Sequence, residues 1–240
     1  MPITLQPEKV VEAELLNTLG LETNSANLKI PTYIAVEGPI GVGKTTLAKR
    51  LAETFSCETI LEDAEDNPFL ERFYKNRRAN ALPTQLSFLF QRIQKLQAIK
   101  QGELFHQGRV SDFLIEKDPL FARITLDDDE YRLYQTLYDK VIEELPQPDL
   151  VVCLQAPTNT LFDRVQLRGN SIERGIDLTY LQTLNDAYTQ FFYHYEDTPL
   201  LIVNTSEINL AQGNSDYYNL VKYILRGQPG RHYYNPHPIQ

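Results

Sequence analysis

Tryptophan is absent from the 240 residues, methionine occurs once, and there are only two cysteines and four histidines. Cys57 and Cys153 have no metal-ligand spacing and sit among apolar neighbours. That argues against a disulfide framework or a zinc site and for small buried hydrophobes in a reducing compartment. No apolar run approaches the roughly 20 residues of a bilayer-spanning helix. Met1 to Glu12 lacks the positive-then-apolar order of a signal peptide, so a cytoplasmic protein without a membrane partner is expected. Basic side chains are also in short supply, 23 against 32 acidic ones, for a net charge of -9. This balance opposes wrapping a long polyanion, so nucleic acid is not an expected partner. A small anion remains compatible, because a nest of backbone N–H groups and a few arginines override the global sign locally.

What is present, 42% hydrophobic and 23% charged residues, suits one α/β domain. Residues 1–30 read as an appendage with an amphipathic stretch at Val10–Leu19. Residues 31–226 read as the domain. Residues 227–240, rich in Pro, Gly, His and Tyr, read as an extended or loosely attached tail. From Tyr33 onward strands alternate with helices, the pattern of a parallel sheet covered on both faces. Five strands are predicted, at Tyr33–Glu37, Glu58–Glu62, Arg109–Asp112, Leu150–Leu154 and Leu200–Val203. Apolar spacing predicts helices over Thr45–Phe55, Pro68–Arg78, Pro83–Gln101, Asp127–Leu145, Asn159–Arg168, Asp177–Tyr195 and Ser215–Leu225.

The run Gly38-Pro-Ile-Gly41-Val-Gly43-Lys44-Thr45 fits G-x-x-x-x-G-K-[ST]. It follows a strand and precedes a helix, the setting the motif requires. Gly38, Gly41 and Gly43 let the backbone curl, so that N–H groups of the loop and of the helix start at Thr46 face phosphate oxygens. Lys44 is expected to reach the β- and γ-phosphates of ATP, and Thr45 a magnesium ion. Magnesium also takes a carboxylate from a neighbouring strand end. Asp112, closing Gly-Arg-Val-Ser-Asp, is the candidate; on its own it reads equally well as a cap for the next segment.

Glu62 closes the second strand beside this loop, where a carboxylate can take the proton of an attacking hydroxyl, although Glu65 and Asp66 are equally ionisable. Gln85 and Arg92 lie on one face of a predicted helix. An amide pairs with a purine edge and a guanidinium with guanine O6 or N7, while periodicity alone favours a polar face paired with Gln91 or Lys95. Arg164 and Arg168 share another helix face, from which both can reach a transferring phosphoryl group. Phe69, Phe88 and Phe121 are candidate walls for a base, or ordinary core.

From Leu61 and Glu62 through Asn67-Pro68-Phe69 to Tyr74, and on through Pro83-Thr-Gln85 to Arg92, the sequence resembles the deoxynucleoside kinase family, and in particular bacterial members that phosphorylate purine deoxynucleosides. The resemblance covers nearly all of Tyr33 to Leu225. It implies a P-loop fold of five parallel strands with a mobile lid at Arg164 to Arg174, a homodimer, and dependence on ATP and magnesium. Glu62 then becomes the catalytic base, Tyr74 and Glu173 contacts of the sugar 3′-hydroxyl, and Gln85 and Arg92 readers of the base. Asp118 supports Arg92 or the base, unless Asp118-Pro119 is simply a helix start. The chain departs from the family where Phe113 replaces an arginine, for which Arg123 is a candidate substitute, and at Asn170, where Arg174 could stand in for a lid arginine. The expected function is 5′-phosphorylation of deoxyadenosine or deoxyguanosine. The rivals are a pyrimidine deoxynucleoside or nucleoside monophosphate kinase, and an ATP-binding module without turnover.

Overall fold

Tyr33–Glu37 are buried throughout, as a strand covered on both faces must be, and they form β1 inside a six-stranded, wholly parallel sheet. The computed structural model describes Asn17, Leu19 and residues 30–102, 108–142, 145–208, 210 and 214–236. The stretch Val10–Leu19, apart from its two described residues, falls outside these; Leu19 itself is buried in the main core. The strand order is β2-β3-β1-β4-β5-β6, with β2 at Glu58–Ile60, β3 at Arg109–Ser111, β4 at Leu150–Gln155, β5 at Leu200–Asn204 and β6 at Arg231–Tyr234. The sixth strand corrects the five-strand expectation. Part of the tail is extended but not loose, since Leu200 to Val203 pair with Arg231 to Tyr234. The Gly and Pro around this short aromatic run had masked its strand character.

Eight α-helices flank the sheet among the described residues: α1 Lys44–Phe55, α2 Leu70–Lys75, α3 Arg77–Gly102, α4 Asp118–Thr125, α5 Asp128–Ile142, α6 Thr158–Arg168, α7 Leu178–His194 and α8 Asn214–Leu225. Strand residues alternate between the two faces, as their period of two demands. Ile34, Val36, Val152, Leu154, Leu201 and Val203 pack with α1 and α8. Ala35, Val151, Cys153, Leu200 and Ile202 pack with Tyr188 and Phe192 of α7. Each fully buried aliphatic side chain contributes about 1.5–3 kcal/mol relative to exposure, so this two-faced core stabilises the strand ends that carry the site.

Strands β2 and β3 stop at Ile60 and Ser111, short of Glu62 and Asp112, and two helix boundaries differ from expectation for local reasons. Helix α3 begins at Arg77 rather than Pro83, because the Asn76 side chain accepts the Ala79 N–H at 3.4 Å and caps the earlier start. The same asparagine ends α2 early, at Lys75. Pro83 lies inside α3, and Asp118-Pro119 is a helix start, opening α4.

After β1 the chain passes beyond β3 to the edge strand β2, and after β3 it crosses β1 to reach β4. Connections thus diverge around β1, and the carboxyl ends of β1, β2 and β3 meet at the switch point where parallel α/β sheets bind ligands.

Candidate active site

The loop from Gly38 to Thr45 is shaped by its glycines. Gly38 has φ 149°, and a Cβ there would stand 2.5 Å from the Leu154 carbonyl oxygen; Gly43, φ 106°, caps α1. Lys44 Nζ donates to the Gly38 carbonyl at 2.7 Å and to that of Pro39 at 3.3 Å. Burial pushes the Lys44 ammonium down from its usual range, with Glu37 opposing and Lys117 adding to the depression. Beneath the loop Glu37 is fully buried. One carboxylate oxygen accepts the Gly38 N–H and the Tyr188 hydroxyl, each at 2.9 Å, and the other accepts the Leu114 N–H at 2.7 Å.

Asp112 ties this loop to the end of β2. Its carboxylate accepts the Thr45 hydroxyl at 2.5 Å and the Glu62 N–H at 2.7 Å. Burial raises its carboxyl, and these hydrogen bonds only partly counter the rise. Thr45 and Asp112 therefore present hard oxygen donors side by side. Among the described residues no three His, Cys, Asp or Glu side chains cluster as a metal cage.

Arg92 is buried between two acids. Its Nε donates to Glu62 at 2.6 Å, Nη2 pairs with the same carboxylate, and Nη1 donates to Asp118. Tyr134 donates to the other oxygen of Asp118. Burial alone would raise the Glu62 carboxyl, but Arg92, Lys117 and Lys44 outweigh it and hold the group at about 2. Removing one partner from a buried pair of this kind strands a charge and costs about 3–5 kcal/mol. Asp118 therefore takes the Arg92-supporting role of the two expected for it.

A cavity of about 510 Å³ opens over these groups and brings together Lys44, Thr45, Glu62, Tyr74, Gln85, Arg92, Asp112, Arg168 and Glu173. Arg168 pairs with Glu173 at 2.6 Å, and Gly175 packs so closely on α2 that a Cβ would lie 2.7 Å from the Tyr74 carbonyl oxygen. Gln85 is 3% exposed, and among the described residues its amide makes no hydrogen bond.

Other expectations are not brought to the cavity. Arg164 turns away from its helix-mate Arg168 and donates to the carbonyl of Thr205 at 2.6 Å, beside the phosphate loop at Val42. Phe88 and Phe121 line the cavity, whereas Phe69 does not. Arg123 lies on the surface against Asp128 at 3.3 Å, and Arg174 is exposed while Asn170 borders the cavity. Neither arginine stands in where it was expected to.

Residues 34–226 match the family model described as deoxynucleoside kinase. The chain belongs to the deoxynucleoside kinase family. It is 35% identical to the deoxyguanosine kinase of Bacillus subtilis over 80% of this chain and 95% of that protein. It is 31% identical to the deoxyadenosine kinase of Dictyostelium discoideum over 82% and 84% of the two chains. The structure of a deoxyadenosine kinase from M. mycoides with bound dATP superposes with a TM-score of 0.69 at 26% identity, covering 81% of this chain and 98% of that one.

As a deoxynucleoside kinase, the protein holds three site groups that its sequence does not single out: Lys117 lines the cavity, while Glu37 and Tyr134 are fully buried behind it. In the sequence Glu37 enters only as the end of the first strand and Tyr134 only as part of the helix expected over Asp127–Leu145, and Lys117 is given no role. The one available signal was position: Glu37 directly precedes the first glycine of the loop, and Lys117 directly precedes Asp118.

Proposed function

We propose that the protein transfers the γ-phosphoryl group of ATP to the 5′-hydroxyl of a purine deoxynucleoside. The reading is carried by one cavity lined by Lys44 and Thr45 of the phosphate loop, by Glu62, and by Gln85 and Arg92 of α3. The Gln85 amide faces the cavity without a protein partner among the described residues, which leaves its donor and acceptor available to a ligand. Its adjacent donor and acceptor complement a purine edge. The relatives named for deoxyguanosine and deoxyadenosine support the same choice.

In this reading Lys44 and the N–H groups at the start of α1 hold the triphosphate. Tyr74 and Glu173 hold the sugar hydroxyl, and Arg168 neutralises charge on the transferring group. Glu62 orients the 5′-hydroxyl and receives its proton. A carboxylate held near 2 is a weak base, which suits a loose phosphoryl-transfer transition state in which the proton leaves late. Magnesium fits the oxygen donors Thr45 and Asp112, with the rest of its shell left to phosphates and water, and would supply charge neutralisation there. Arg164 braces the loop from behind. A homodimer would cover Phe90 of α3 and Leu133 of α5, large apolar side chains exposed on neighbouring helices. No helix among the described residues is long and apolar enough to cross a membrane.

The test is a panel of four deoxynucleosides and their monophosphates with γ-labelled ATP and magnesium. Label should pass to deoxyadenosine and deoxyguanosine. Preference for a pyrimidine or a monophosphate would overturn the acceptor assignment, and transfer to none would favour the non-transferring module.

A further inference from the structure

The position where the resemblance expects a cavity arginine holds Phe113, and this side chain is fully buried with Leu89 and Ile93 of α3 and Tyr134 of α5. No cation reaches the cavity from there. Four residues on, at the end of a 3₁₀ turn at Ile115–Lys117, the chain places Lys117, which is 1% exposed and lines the cavity. A lysine is almost never buried without a partner, so what Lys117 pairs with decides its role.

Glu37 is the obvious partner, but the distances argue against charge neutralisation as its only role. Glu37 already accepts three hydrogen bonds of 2.7–2.9 Å, while the Lys117 ammonium stands 3.5 Å from its carboxylate and 3.4 Å from the Tyr188 hydroxyl. The ring of Phe121, itself at the cavity, lies 4.7 Å from the same ammonium. Held by two long contacts and an aromatic face, an ammonium with three N–H donors keeps donor capacity for a ligand. Its charge is also felt on both sides of the reaction path: it depresses Lys44 and helps to hold Glu62 low.

We propose that Lys117 is a further catalytic residue, whose ammonium stands at the cavity wall and binds the transferring phosphoryl oxygens together with Lys44. The proposal rests on the phosphoryl-transfer reading above. In the step, the bond between the 5′-oxygen and the γ-phosphorus forms while the bond from that phosphorus to the β,γ-bridging oxygen breaks. ADP leaves with the electron pair of the broken bond, and the hydroxyl proton passes to Glu62. Lys117 neither gives nor takes a proton; it is a fixed charge beside oxygens that gain negative character.

The experiment compares kcat and KM for wild type, Lys117→Met, Lys117→Arg and the double variant Glu37→Gln with Lys117→Met, each checked by thermal melting. The double variant removes both charges of the buried pair, so it keeps the test open if Lys117→Met alone fails to fold. Lys117→Met and the double variant should each lose about 10²-fold or more in kcat, with KM for ATP within about threefold, as expected of a contact made only in the transition state. Lys117→Arg should regain part of the loss. A double variant with wild-type kcat would mean that Lys117 serves only to neutralise Glu37, and would overturn the proposal, as would failure of both Met variants to fold. A wild-type protein that phosphorylates no deoxynucleoside would instead overturn the functional reading, and this proposal with it.

Discussion

The two ends of the cavity are held in different ways. At the phosphate end one continuous run, Gly38 to Thr45, shapes itself through its own backbone, and Lys44 bonds to carbonyls of that same run. The acceptor end is a charge network drawn from distant elements: Glu62 after β2, Arg92 in α3, Asp118 in α4 and Tyr134 in α5. The first is shaped mainly by its own backbone, with Glu37, Asp112 and Arg164 as outside contacts. In the second, each member depends on the others, so damage spreads from chemistry into stability and pH dependence.

The largest effect should come where the two ends touch. Glu62→Gln should lower kcat by about 10²–10⁴-fold, the range for a positioned acid–base group, while Glu65→Gln, on an exposed residue, should leave it near wild type. Similar losses in both variants, measured in steady state, would remove Glu62 from the role of base. Asp118→Asn attacks the network away from the reaction. It strands part of the Arg92 charge in a buried site, and the denaturation midpoint should report a loss of about 3–5 kcal/mol. A phosphate-end substitution such as Lys44→Ala should leave the midpoint almost unmoved, and equal losses in the two would erase the contrast.

A third expectation concerns pH. The Glu62 carboxyl is depressed to about 2 in the folded protein. Its contribution to stability is therefore fully present above the ordinary carboxylate value of about 4.3 and is lost as pH falls from there toward 2. Arg92→Met removes the foremost charge that holds the group down, so the acidic limb of kcat/KM should move up by about one to three units. An unmoved limb would show that Arg92 does not set the ionisation of Glu62.

The same division decided how much could be read in the sequence. The phosphate loop and the strand before it were legible because eight neighbouring residues carry both geometry and chemistry, and β1 matches its expected bounds at Tyr33–Glu37. That Gln85, Arg92 and Glu62 line one cavity was expected only through the family resemblance, since periodicity favoured a solvated face for the first two and Glu62 stood among equally ionisable acids. Lys117 was not legible at all. Its burial depends on the 3₁₀ turn and on where Glu37 and Tyr188 lie in three dimensions, and nothing in the run Glu-Lys-Asp distinguishes it from a surface turn. The contacts of Arg164 were likewise not legible: helical spacing places it on the same face as Arg168, and in the fold it bonds to Thr205 just after β5.

The most direct test of this two-ended account is calorimetric titration of ATP and of a purine deoxynucleoside into Lys44→Ala and into Gln85→Leu. Gln85 makes no hydrogen bond among the described residues, so its replacement removes a ligand contact without breaking a network. The account expects crossed losses. Lys44→Ala should weaken ATP and spare the deoxynucleoside, while Gln85→Leu should weaken the purine deoxynucleoside by about 1–3 kcal/mol and spare ATP. Parallel weakening of both ligands in both variants would contradict it.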